Sequence, residues 1–116
     1  MSKPVGPYTP IVRAGDWLVV SGQVGLGEGG LVEGGVQAQL RQALANLGTL
    51  LEGEGASLAD VTKTTVFLTN IDDYAAMNET YIDVFGDHRP TRSAVAVAAL
   101  PIGALVEVEA WAFTGS

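Results

Sequence analysis

Apolar positions open the chain in two runs, Pro10 to Ala14 and Asp16 to Gln23. The second contains Trp17-Leu18-Val19-Val20-Ser21-Gly22-Gln23 and predicts a mostly buried strand. The stretch Gly25-Leu26-Gly27-Glu28-Gly29-Gly30 that follows predicts a flexible surface loop; a phosphate loop would need a Lys-Ser/Thr pair after it, and none follows. From Gly35 the apolar residues Val36, Leu40, Leu44, Leu47 and Leu51 recur at helical spacing, with Gln39, Arg41, Gln42 and Asn46 elsewhere, so an amphipathic helix is predicted. Gly53 and Gly55 stand where that helix needs a left-handed residue to stop. Val61 to Thr69 is rich in Val and Thr and predicts a strand. A second helix follows, with Asp72 as N-cap, Asp73 in its first turn and Tyr74, Met77, Tyr81 and Phe85 along one stripe. Gly86 and Pro90 end it. Two strands, Arg92 to Ala99 and Ala104 to Phe113, close the chain across Leu100-Pro101-Ile102-Gly103.

The order β-β-α-β-α-β-β gives each helix one apolar stripe to bury, which predicts an α+β fold: a single mixed sheet with both helices on one face. The strand at Arg92 to Ala99 changes what that implies. Ala94, Ala96 and Ala98 alternate with Val95 and Val97, so both of its sides are apolar, and a sheet covered on one face alone would leave apolar surface in water. Self-association is the expected remedy.

Composition narrows the function classes. The 116 residues are 47% hydrophobic and 16% charged, enough for one core, and one domain over 1–116 is expected. No cysteine is present, which excludes disulfides, thiolate metal sites and cysteine nucleophiles. Neither end reads as a targeting signal, and no apolar run approaches the roughly 20 residues of a membrane span, so a cytoplasmic protein without a membrane partner is expected. Thirteen acidic residues against six basic ones, the latter scattered at Lys3, Arg13, Arg41, Lys63, Arg89 and Arg92, provide no basic stripe for phosphates, and no nucleic-acid partner is expected. A positive charge fixed inside so acidic a chain is instead a candidate anion site.

In the last strand, alternation sets Leu105, Glu107, Glu109, Trp111 and Phe113 on one face and Val106, Val108, Ala110 and Ala112 on the other. The two glutamates form either a solvated acidic edge or, with three large apolar neighbours, a buried pair that needs hydrogen bonds, a cation or raised pKa values. Arg92 is the nearest candidate cation in sequence. A symmetric turn at Leu100 to Gly103 would set it opposite Trp111, with Ala94 and Ala96 opposite Glu109 and Glu107, leaving a hollow. Its guanidinium would then serve either as a salt-bridge partner for a glutamate or as a bidentate clamp on a ligand carboxylate. His88 is the sole histidine, which leaves no multi-histidine metal site, and it reads as a loop residue. Ser21 lacks a nucleophile context and reads as a strand-end hydroxyl. Tyr8 lies in a tight turn, Gly6-Pro7-Tyr8.

Taken in order, Gly6-Pro7-Tyr8, Val20-Ser21-Gly22-Gln23, Gln39 to Asn46, Val61 to Leu68, Met77-Asn78-Glu79-Thr80-Tyr81, Arg89-Pro90-Thr91-Arg92-Ser93, Leu100-Pro101 and Val106-Glu107-Val108-Glu109-Ala110 resemble the Rid (reactive intermediate deaminase, YjgF) family over nearly the whole chain. The resemblance implies a chorismate-mutase-like fold and a homotrimer with a central β-barrel and clefts between subunits. It also implies a metal- and cofactor-free hydrolysis of 2-aminoacrylate-type enamines and imines to 2-keto acids and ammonia. By the same resemblance Arg92 holds the substrate carboxylate and Glu107 positions or activates water. Tyr8, Ser21, Gly22 and Asn78 line the pocket, joined by the backbone of Ala94, which stands where many members have cysteine. The alternative is a non-enzymatic module that binds small carboxylates on the same scaffold. A ribonuclease reading, also attached to this family, conflicts with the acidic charge.

Overall fold

The computed structural model describes residues 6–115, and Lys3 lies outside them. The first strand, β1 (Ile11–Ala14), folds back on β2 (Trp17–Val24) through a two-residue turn in which Gly15 has φ 61°, the left-handed conformation such hairpins require. The glycine-rich stretch then forms a miniature hairpin, β3 (Leu26–Gly27) with β4 (Gly30–Leu31), where a loop was expected. Its base is tied down by Asn46, whose Nδ2 donates to the carbonyls of Val24 and Leu26 at 3.3 and 3.0 Å.

Helix α1 (Gly35–Glu52) buries Val36, Leu40, Leu44, Leu47 and Leu51, the predicted stripe. It stops as expected at one of the two glycines: Gly55 takes φ 79°, whereas Gly53 stays right-handed. Strand β5 (Val61–Leu68) follows. The second helix, α2 (Tyr74–Phe85), begins differently from the prediction. Asn70, not Asp72, caps: its Oδ1 accepts from the Asp72 N–H at 2.9 Å and opens a short 3-10 turn, Ile71–Asp73, that feeds the helix. Asn70 is extended and so can aim its side chain at the free N–H groups; Asp72 already lies within the turn. Gly86, at φ 65°, ends α2.

The main sheet runs β1-β2-β7-β5-β6, with β6 (Thr91–Ala96) and β7 (Val106–Phe113) as its last two strands in sequence. Both helices pack on one face of this mixed sheet. Leu18, Val20, Val61, Val66, Leu68, Val106, Val108, Ala110 and Ala112 meet Leu40, Leu44, Leu47 and Leu51 of α1 and Met77, Tyr81 and Phe85 of α2. A fully buried Leu or Val contributes roughly 1.5–3 kcal/mol, so this single layer dominates stability.

One expectation fails in a way that matters for the site. The two closing strands do not form a hairpin: β6 pairs in parallel with β5, while β7 crosses over to lie between β2 and β5. The crossover helix α2 returns the chain alongside β5, making β6 an edge strand that ends at Ala96 instead of Ala99. β7 has four fully buried residues on one side and belongs at the centre. The connection becomes a 3-10 turn, Pro101–Gly103, in which Ile102 takes φ 55°. Thr65 therefore faces Glu109 and Phe67 faces Glu107, and the hollow of alanines opposite acids is not formed.

Candidate active site

Glu107 lies on β7 with its side chain on the sheet face away from the helices, half-buried beside Glu109. Burial, reinforced by the charge of Glu109, raises its carboxyl above the ordinary carboxylate range. Its neighbour β2 makes room for it. Val20 pairs with Ala110 but Gln23 pairs with Val108, so an extra residue bulges at Ser21-Gly22. A Cβ at Gly22 would collide with the Glu107 carboxylate, so only glycine lets that side chain lie against the strand. The Ser21 hydroxyl donates to the Thr9 carbonyl at 2.8 Å and the Ser21 N–H donates to the Pro10 carbonyl at 2.8 Å, so the segment carrying Tyr8 is fixed above the bulge. Tyr8, Ser21, Gly22, Val24, Pro101, Glu107 and Glu109 enclose a cleft of about 360 Å³.

Arg92, on β6, points the other way. Paired residues in a ladder share a face; Arg92 pairs with Thr64 and Thr64 with the buried Ala110, so all three lie on the helix side. There the guanidinium sits 4.8 Å from the ring centre of Tyr81 and 5.6 Å from that of Tyr74, donates to the Tyr74 hydroxyl at 3.1 Å and approaches the Met77 sulfur at 3.5 Å. Tyr81 is itself locked by a 2.7 Å hydrogen bond to buried Thr64, and burial raises its phenol above the usual value. Arg92 thus has a rigid aromatic cradle. Among the described residues the ion pairs are Arg13 with Glu54 and Arg41 with Asp83; no carboxylate pairs with Arg92, so its salt-bridge reading finds no support within one chain.

Asn78, Tyr81, Ile82, Arg89 and Arg92 line a second cleft of about 260 Å³. The Asn78 Oδ1 is buried without a hydrogen-bond partner among the described residues, an arrangement that costs stability unless a ligand fills it. Ala94 lies half-buried on the same side of β6 as Arg92, paired with Val66.

The predicted residues therefore fall into two groups: Tyr8, Ser21, Gly22 and Glu107 in one cleft, and Asn78 and Arg92 in the other, with Ala94 nearby. Two strand spacings, roughly 10 Å, separate β6 from β7, and the two charged side chains project from opposite faces. One chain does not bring them together. The sequence placed Tyr74 and Tyr81 on a packing stripe and Arg89 among scattered charges and beside Arg92 in one motif, and assigned none of the three a role in a site. Their signal was the spacing of aromatic residues along α2 and a second arginine three positions before Arg92.

His88, read as a loop residue, lies after α2 and bonds the Val61 carbonyl through Nε2 at 2.8 Å. Among the described residues no cluster of three or more His, Cys, Asp or Glu could hold a metal ion, and no helix is long and apolar enough to cross a membrane.

The sequence profile of the endoribonuclease L-PSP family matches residues 1–114. The mouse protein named 2-iminobutanoate/2-iminopropanoate deaminase is 44% identical over 113 residues, covering 96% of this chain and 84% of the relative. Among solved structures, a putative endoribonuclease from Thermotoga maritima superposes with a TM-score of 0.93 at 44% identity, covering 98% of this chain and 91% of that one. TdcF of E. coli, solved with bound serine, superposes with a TM-score of 0.91 at 37% identity over 97% of this chain and 91% of its own.

Proposed function

The chain belongs to the Rid (YjgF/RidA) family, and from that premise we propose that it is a deaminase hydrolysing 2-aminoacrylate-type enamines and 2-imino acids to 2-keto acids and ammonia. The observation that carries this reading is Arg92: a guanidinium cradled by two aromatic rings, lining a cleft and paired with no acid among the described residues. Such a fork suits a carboxylate. The deaminase name of the mouse relative and the serine bound to TdcF support a small amino- or imino-acid ligand.

In the proposed reaction the substrate carboxylate docks on Arg92. The unpartnered Asn78 Oδ1 supports a role in accepting the substrate N–H. Glu107, ionised but with its pKa raised by burial and by Glu109, takes a proton from water as the water oxygen bonds to the imine carbon. The proton on Glu107 passes to nitrogen to give the carbinolamine. Its hydroxyl then gives its proton, by way of Glu107, to the amine; the carbonyl forms as the C–N bond breaks, and ammonia and the keto acid leave. An enamine substrate first tautomerises to the imine by moving a proton from nitrogen to carbon. Imines are intrinsically labile, so positioning together with general-base help of order 10²–10⁴-fold is sufficient. Because Arg92 and Glu107 project from opposite faces, the reading requires the Arg92 of one copy to meet the Glu107 of another, in a homotrimer whose sheets turn their uncovered faces inward. Trp17, Trp111, Phe113 and Val95 on that face, each more than a third exposed, support the assembly.

The test is ammonia release from freshly generated 2-aminoacrylate. Wild-type protein is expected to accelerate it and Arg92→Ala to abolish the acceleration. Equal rates would favour instead a module that binds small carboxylates without turning them over.

A further inference from the structure

Six basic residues stand against thirteen acids in this chain, yet Arg89 and Arg92 pair with no carboxylate among the described residues and line one small cleft. Like charges brought to one cavity without counter-ions repel each other, an arrangement that an anionic ligand relieves. Arg89 follows the left-handed Gly86 and precedes Pro90; its Nε donates to the Gly86 carbonyl at 3.1 Å, which holds the side chain across the end of α2. The opposite wall carries Ile82 and Tyr81, with the unpartnered acceptor Asn78 Oδ1 on the same helix. At about 260 Å³ the cleft is slightly smaller than the roughly 300 Å³ at which ordinary ligand pockets begin, a size that fits a metabolite of a few carbons.

We propose that Arg89 is a specificity-determining residue that binds a second carboxylate, so that the preferred substrates are 2-imino dicarboxylic acids, as formed by dehydrogenation of acidic amino acids. This rests on the deaminase reading above and extends it: Arg92 takes the carboxylate next to the reacting carbon, Asn78 accepts the N–H, and Arg89 takes the terminal carboxylate of the side chain. The hydrolysis is otherwise unchanged, consuming one water and yielding a keto dicarboxylate and ammonia.

Two measurements test it. In the first, imines are generated in situ by amino-acid oxidases from aspartate and from alanine, and their decay is followed with wild-type protein and with Arg89→Gln. The expected result is that wild type favours the aspartate-derived imine and that the substitution lowers the ratio of kcat/KM, aspartate-derived over alanine-derived, by about tenfold or more, the loss of one charge-assisted contact. An unchanged ratio overturns the proposal, whatever the absolute rates.

The second measurement does not depend on turnover: calorimetric titration with 2-oxobutanedioate and 2-oxopropanoate. Tighter binding of the dicarboxylate by wild type, lost in Arg89→Gln, supports the proposal even if no imine is hydrolysed. Equal affinities overturn it even if the deaminase reading stands. Arg89 is exposed, and an unchanged melting temperature is the control for folding.

Discussion

At the scale of single residues, two charged side chains carry the proposed chemistry, and each makes its own prediction. Arg92 presents a planar fork already oriented by Tyr74 and Tyr81, so shape as well as charge is at stake. Arg92→Lys is expected to weaken 2-keto acid binding about tenfold or more, because one of two charge-assisted hydrogen bonds is lost. Its melting temperature should change little, since no buried glutamate is left unpaired; titration alongside thermal unfolding reads both. Glu107 makes a prediction in pH. Its carboxyl is raised by burial first and by Glu109 second, so it holds its proton to a higher pH than an ordinary glutamate. A general base must be ionised, so kcat/KM should fall with decreasing pH along a limb lying above the ordinary carboxylate range. Linkage has the matching sign: stability tied to Glu107 is full below its unfolded pKa and is lost as pH rises through the raised folded one. Glu109→Gln removes a like charge and should move the acid limb of the pH–rate profile downward.

At the scale of elements, the bulge in β2 is what gives Glu107 its place. The extra residue at Ser21-Gly22 re-aims the strand, and the missing Cβ at Gly22 is the space into which the carboxylate folds. Gly22→Ala should therefore leave the fold nearly intact, since the atoms that must yield belong to the flexible end of a glutamate side chain, while displacing the proposed base. A misplacement of about 1 Å at a reacting group is worth on the order of 10²-fold in rate. Steady-state kinetics with circular dichroism as a control separates this from misfolding; full activity would show that Glu107 does not act from this notch. The elements also explain what the sequence misplaced. Asn70 and Asp72 are both good caps, and the choice between them was decided by the 3-10 turn that joins β5 to α2. The closing hairpin was inferred from adjacency in sequence, but the parallel return through α2 made β6 an edge and sent β7 to the centre.

At the scale of the whole molecule, the central fact is that the halves of the proposed site lie on opposite faces of one sheet. The trimer proposal then predicts complementation. Arg92→Ala and Glu107→Ala are each expected to be inactive alone, whereas subunits of the two mixed by co-refolding should regain about a quarter of wild-type activity. Each randomly assorted mixed trimer rebuilds one of its three clefts from an intact Arg92 and an intact Glu107. No recovery, in mixtures shown by native mass spectrometry to contain both subunits, would place the two residues in one chain's site and overturn the shared-cleft reading.

The α+β class, both helices and their buried stripes, and the alternation of β7 followed from sequence alone, because 3.6-residue and two-residue periods are set by backbone geometry that each residue carries locally. The motifs that carry the family resemblance were legible as well, since their order along the chain is itself a sequence property. What no local pattern held was strand order. Whether β7 pairs with β6 or inserts between β2 and β5 depends on which packing buries Val106, Val108, Ala110 and Ala112 together, a comparison made among segments far apart in sequence. Strand order in turn decided that Arg92 rests on α2 while Glu107 occupies the notch at Gly22 on the other face. The turn after α2, where Arg89 is held by the Gly86 carbonyl, sets Arg89 in the same cleft as Arg92, where sequence had shown two positive charges separated by Pro90 and Thr91.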